Sequence, residues 1–170
     1  MNQIISCRGF TPSLGKDIYI APGAYLIGDV VCGDECSFWF NSVTRGDVNS
    51  IRMGKRVNVQ DGAIIHCTYE RSQTIIGDDV SIGHNAIVHG CEVEQGVLIG
   101  MGSIVMDDAI VGAHSIVAAG AVVLEGTRIE AGSIYAGVPA KRVKQSDIEE
   151  MRARLNPTSQ KYVEYSKWFQ

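Results

Sequence analysis

Along this chain a hydrophobic position followed by a small residue returns every six residues for most of its length. In the C-terminal half the leading positions are Ile99, Val105, Val111, Val117, Val123, Ile129 and Tyr135, with Gly100, Gly112, Ala118 and Ala136 among the residues that follow them. The same phase reads Ile76, Ile82 and Val88 upstream; one residue is then dropped, so that Val93 carries the phase on to Ile99. Further back, Ile20, Leu26, Cys32 and Phe38 are in step, as are Met53, Val59 and Ile65, with extra residues near Arg45 to Ile51 and near Cys67 to Gln73. A strand alternates with period two and a helix with a period near 3.6, so a strict six requires a short strand and a turn, repeated. The pattern predicts an all-β solenoid.

The repeat resembles the hexapeptide repeat family. That resemblance implies a left-handed parallel β-helix of triangular section, with three hexads per coil and an aliphatic residue pointing inward from each face. Six or seven such coils fit residues 1–140. Each coil buries its neighbour's apolar edge, so stability is close to a nearest-neighbour sum. After Tyr135-Ala136-Gly137-Val138-Pro139-Ala140 the hexads stop, and residues 141–170 read as a helical extension. Ser146-Asp147-Ile148-Glu149 has the form of a capping box, which predicts a helix over about 147–155. Asn156-Pro157 then breaks it, and a second helix over 158–169 would carry Tyr162, Tyr165 and Phe169 on one face, packed on the solenoid or on a neighbouring subunit.

Composition fits this reading. Nineteen glycines against four prolines supply tight corners, and 45% hydrophobic residues in 170 are enough for one continuous core. A formal charge of −4 without a basic run speaks against nucleic acid and against anionic membrane surfaces as partners. No stretch is long and apolar enough for a membrane span, and MNQIISCRGF lacks the form of a secretory leader, so a cytoplasmic protein is expected. Cys7, Cys32, Cys36, Cys67 and Cys91 form an odd set without a C-x-x-C pair, as expected of reduced, mostly buried thiols.

The hexad phase also places the histidines. His66 follows Ile65 and His89 follows Val88, so both occupy the second position of a hexad, whereas His84 is two residues after Ile82. With the residues after His66 set aside as a loop, the hexads at Ile65, Ile76, Ile82 and Val88 go once round the triangle. His66 and His89 then stack about one coil rise, roughly 4.8 Å, apart and can share an ion. His84 leaves an adjacent face. A symmetric trimer would bring His84 of one subunit toward His66 and His89 of the next. Three imidazoles plus one open position is the arrangement of a catalytic zinc site. Each histidine alone would be an ordinary turn residue, and His114, without a stacked partner, reads as a surface residue.

Around these positions Asn41-Ser42-Val43-Thr44-Arg45-Gly46-Asp47, Asn58-Val59-Gln60-Asp61-Gly62, His66, Gly83-His84 and His89-Gly90-Cys91 resemble the γ-class carbonic anhydrases and their bacterial relatives over about residues 10–140. The resemblance implies a homotrimer with Zn2+, or Fe2+ or Co2+, held by His66, His84 and His89 across subunit interfaces. It implies hydration of a small-molecule substrate, CO2, to bicarbonate by a hydroxide formed at the metal. It also implies that Arg45 and Asp47 form salt bridges between subunits, that Gln60 orients the nucleophile, that Asp61 and Asn58 support the ligands or the interface, and that Tyr135 lies near the substrate pocket. The chain departs from the archetype in its proton-shuttle glutamates: Val48 follows Asp47, and Glu70 is the one carboxylate in the loop after His66. Two other functions fit the repeat, namely acyl transfer or thioester hydrolysis on an acyl-CoA with a histidine as general base, and a non-catalytic metal-binding trimer.

Overall fold

The computed structural model describes residues 3–169. It is a left-handed parallel β-helix of about seven coils followed by one long helix. On the first face Ile4–Ile5, Tyr25–Cys32, Val43–Met53, Ile64–His66, Ile87–His89, Ile104–Val105 and Val122–Val123 stack in parallel. Tyr25–Cys32 and Val43–Met53 continue unbroken around a corner into the second face. There they pair with Ser13–Leu14 and with Thr74–Ile76, which leads on to Glu92–Val93, Ile110–Val111 and Arg128–Ile129. The third face runs from Tyr19–Ile20 through Ser37–Phe38, Asn58–Val59, Ser81–Ile82, Leu98–Ile99 and Ile116–Val117 to Ser133–Ala136, and the antiparallel Lys141–Gln145 closes it.

The six-residue phase is the inward column of each face. Leu26, Thr44, Ile65, Val88, Val105 and Val123 are in register and fully buried on the first face, and Val59, Ile82, Ile99 and Val117 on the third. The small residues that follow make room for the next coil's backbone: a Cβ on Gly100 would lie 2.5 Å from the backbone nitrogen of Ala119. The extra residues also lie where the phase put them. Those after Arg45 form the protruding corner of Val43–Met53, and those after Cys67 form a loop drawn together by a Thr68–Ser72 bridge.

The fold differs from expectation in three respects, the first two of them in the C-terminal segment. Asp147, not Ser146, caps the helix, its carboxylate accepting from the Glu149 and Glu150 amides, while Ser146 Oγ is buried without a partner. A single helix, Ile148–Ser166, runs through Pro157. Its packing on both sides of the proline explains why no break occurs. Met151 and Leu155 are buried against Leu98, Ile116 and Ile134, Ser159 Oγ donates to Asp79 Oδ1, and Tyr162 and Tyr165 join the Tyr19–Trp39 cluster. Burial of two such side chains outweighs the roughly 3 kcal/mol of an internal proline. At about 1.5 Å per residue the helix is long enough to run back along most of the third face. The aromatic stripe therefore packs on its own chain, with Phe169 against Tyr19, Trp39 and Phe40.

The third difference follows from that packing. His114 is only 7% exposed rather than a surface residue. Its ring lies over Gly96, where a Cβ would come within 2.2 Å of Nδ1, and burial lowers its pKa. Among the described residues no helix is long and apolar enough to cross a membrane.

Candidate metal centre

Adjacent parallel strands bring His66 and His89 together: Ile64–His66 and Ile87–His89 pair with His66 opposite His89. With Ile65 and Val88 pointing into the core, strand alternation turns both imidazoles outward. His66 Nδ1 and His89 Nε2 are 3.1 Å apart. Each ring's other nitrogen faces a carboxylate, His66 Nε2 at 3.0 Å from Asp47 Oδ1 and His89 Nδ1 at 3.0 Å from Asp107 Oδ2.

These three distances fix the tautomers. For Asp47, burial alone would raise the pKa, but hydrogen bonds from Arg45 and His66 outweigh it and lower the carboxyl below its ordinary value. For Asp107, burial is outweighed by hydrogen bonds from Ser72, Thr68 and His89, which hold it at about 2. Both are acceptors only, so His66 donates from Nε2 and His89 from Nδ1. The facing nitrogens then both carry lone pairs, and at 3.1 Å they repel unless a cation lies between them. On His66 burial lowers the pKa more than Asp47 restores it, which disfavours a proton on that ring. A zinc ion fits: Zn–N bonds of about 2.0–2.1 Å in a tetrahedral site separate ligand nitrogens by roughly 3.3–3.4 Å.

His84 lies on the third-face side, at the corner after Ser81–Ile82, and its Nδ1 is 2.8 Å from Asp61 Oδ2 one coil below. Among the described residues no three His, Cys, Asp or Glu side chains of one chain converge on an ion position. His84 and Gln60 line one groove of about 380 Å³ with Leu98, Met101, Ile116 and Tyr162. Buried Gln60 donates from Nε2 to Asn58 Oδ1, and Asn58 Nδ2 donates to Ser81 Oγ, so the Gln60 amide is held with its Oε1 as the free acceptor.

Arg45 and Asp47 pair with each other at 2.5 Å within the chain. Tyr135 packs against the core in the inward column of the third face, three coils beyond Ile82, or roughly 14 Å along the axis. Glu70 is at an exposed loop position with a left-handed backbone, φ 51°. The two thiols nearest the histidines offer no alternative nucleophile: burial pushes Cys91 up to about 12 and also raises Cys67.

Asp107 is the site residue that sequence reasoning missed. The signal was in the repeat, since Val88 and Val105 are in register, which places Asp107 one coil beyond Gly90 and beside His89.

Comparison with known proteins bears on both fold and site. Residues 90–125 match the family described as bacterial transferase hexapeptide (six repeats). The chain is 39% identical over 167 residues to a carbonic anhydrase of Geobacillus kaustophilus, covering 98% of this chain and 91% of that one. It is 37% identical over 158 residues to the mitochondrial gamma carbonic anhydrase 2 of Arabidopsis thaliana, covering 90% of this chain but 56% of that protein. The chain thus spans about half the length of its plant relative. A crystal structure of a hexapeptide transferase family protein from Anaplasma phagocytophilum superposes with a TM-score of 0.93 at 35% identity over 100% of both chains.

Proposed function

We propose, since the chain belongs to the γ-class carbonic anhydrase family, that it is a metal-dependent enzyme catalysing the reversible hydration of CO2 to bicarbonate. The observation that carries this reading is the His66–His89 pair, whose facing nitrogens lie 3.1 Å apart while their other nitrogens are held by Asp47 and Asp107. His66 and His89 of one subunit would hold the ion with His84 of a neighbour in a homotrimer. Zn2+ suits three imidazoles, and Fe2+ or Co2+ can take the same donors. A bound ion of this kind supplies a Lewis acid that brings the ionisation of water toward neutral pH.

The chain's own side chains supply the rest. Asp47 and Asp107 keep the two ligand imidazoles in the tautomers that present lone pairs. Gln60, fixed through Asn58 and Ser81, offers an acceptor that does not titrate and can orient a water or hydroxide. The apolar wall of the His84 groove, formed by Leu98, Met101 and Ile116, suits an uncharged substrate. Glu70, exposed at its loop, is the candidate for passing a proton to solvent. Arg45 keeps the Asp47 charge compensated.

Stopped-flow CO2 hydration on zinc-loaded and anaerobically iron-loaded protein tests the reading, with His89→Ala as control. Rates well above the control in either form are expected. Rates equal to the control in both, with metal bound, would leave the non-catalytic metal-binding trimer. A second reading draws on the His84–Asp61 pair, 2.8 Å apart beside the apolar groove, which has the form of a general base for acyl transfer or thioester hydrolysis on an acyl-CoA. Activity toward acetyl-CoA that persists after chelation and is lost in His84→Ala would favour it.

A further inference from the structure

We propose that Asp107 is a positioning residue that locks the orientation of His89 and couples it to the seating of the 67–73 loop. The inference rests on the reading of His66 and His89 as metal ligands and goes beyond it, because it assigns control of ligand geometry to a loop that holds no ligand.

Both oxygens of Asp107 are committed. Oδ2 accepts from His89 Nδ1 at 3.0 Å, while Oδ1 accepts from Thr68 Oγ1 at 2.7 Å and from Ser72 Oγ at 2.5 Å. The two hydroxyls come from opposite ends of the loop and are tied together, the Thr68 amide donating to Ser72 Oγ at 3.2 Å. Thr74, where the loop rejoins the solenoid, donates from its hydroxyl to the His66 carbonyl at 2.7 Å and accepts from the Gly90 amide at 2.9 Å. The loop thus touches the backbone of one histidine, the neighbour of the other and the carboxylate behind it.

Gly90 makes this possible. It adopts φ 57°, and a Cβ there would lie 2.1 Å from Ser72 Oγ and 2.3 Å from Asp107 Oδ1. The missing side chain is the space in which hydroxyl and carboxylate meet. A carboxylate held at three points fixes the plane and tautomer of the imidazole it faces, and such support behind a ligand histidine governs metal affinity. Were the loop displaced, Oδ1 would lose both donors and the carboxylate would be free to turn away from His89.

The test is zinc affinity by chelator competition, with the visible spectrum of the Co2+-substituted protein, on wild type, Asp107→Asn, Ser72→Ala and His89→Ala. Asp107→Asn should bind zinc roughly ten- to a hundredfold more weakly and show an altered Co2+ spectrum. Ser72→Ala, which leaves the His89–Asp107 contact in place, should weaken binding by about threefold or more. The thermal midpoint of each metal-free variant reports the purely structural share of the substitution. Wild-type affinity and spectrum in both variants would overturn the proposal, whatever the metal-free midpoints, and leave Asp107 a loop anchor. Should Asp107→Asn not fold, unchanged affinity in Ser72→Ala overturns it alone. Wild-type protein that binds no more zinc than His89→Ala would instead refute the metal reading itself.

Discussion

Replacing Asp47 by alanine separates a carboxylate that merely pairs with Arg45 from one that prepares His66 for an ion. In the metal-free protein the substitution removes the acceptor of the His66 Nε2 proton and leaves Arg45 unpaired. Arg45 is 41% exposed, so its loss counts for little, and the lost hydrogen bond costs about 1 kcal/mol. The metal-loaded protein loses more. At free zinc a thousandfold above Kd, binding stabilises the fold by about 4.1 kcal/mol. Without its carboxylate the ligand binds roughly ten- to a hundredfold more weakly, which removes about 1.4–2.7 kcal/mol of that stabilisation. In a chain of 170 residues each kcal/mol moves Tm by roughly 2–4 °C. The zinc-induced rise in Tm should therefore shrink by about 3–11 °C in Asp47→Ala, beyond any loss shared with the metal-free form. Differential scanning calorimetry with and without zinc measures both quantities. An undiminished zinc-induced rise would refute the assignment of Asp47 to the ligand and leave it as Arg45's partner.

Mixing zinc-free His66→Ala subunits with His84→Ala subunits should restore a fraction of intact zinc sites if His84 completes the site across an interface, and no restored binding after verified exchange would rule that out. Asp107, with a side chain 15% exposed and a folded pKa of about 2 against an ordinary 3.8, contributes stability that is complete above about pH 5 and is lost as pH falls toward 2, about 2 kcal/mol in all. The urea midpoints of wild type and Asp107→Asn should thus converge between pH 5 and pH 2.5, and a gap independent of pH would contradict it. Of the five cysteines only Cys7 should react rapidly with a thiol reagent in the native protein, since Cys32, Cys36, Cys67 and Cys91 are buried; two or more fast thiols would show that the coils open.

The fold was readable in the sequence because a solenoid makes a long-range structure out of a local rule. Once Ile65, Ile82 and Val88 are set in phase, the pairing of His66 with His89 follows by counting, and the strand register bears it out. The same counting put His84 on another side of the prism, where it meets Asp61 and not the other two histidines. What failed was reasoning from local signals about the C-terminal segment. Asn156-Pro157 reads as a helix end by itself, yet Leu155 on one side and Ser159 on the other are buried on the solenoid and hold the helix across it. His114 reads as a corner residue facing water, yet it is buried over Gly96, which holds the same hexad position one coil earlier.

Asp107 is a different kind of miss, because the phase did contain it. Aspartate at a corner of a β-helix is expected for its turn-forming backbone, so residue type alone carries no message. Its meaning comes from three positions whose relation crosses the dropped residue and the loop: Gly90, which vacates the space, Ser72, which enters it, and His89, which is held there. A repeat read one column at a time yields the stacked pair His66 and His89. The groups that orient these imidazoles stand between columns, so they emerge only when the coils are assembled and the side chains at each corner can be compared with those one coil away.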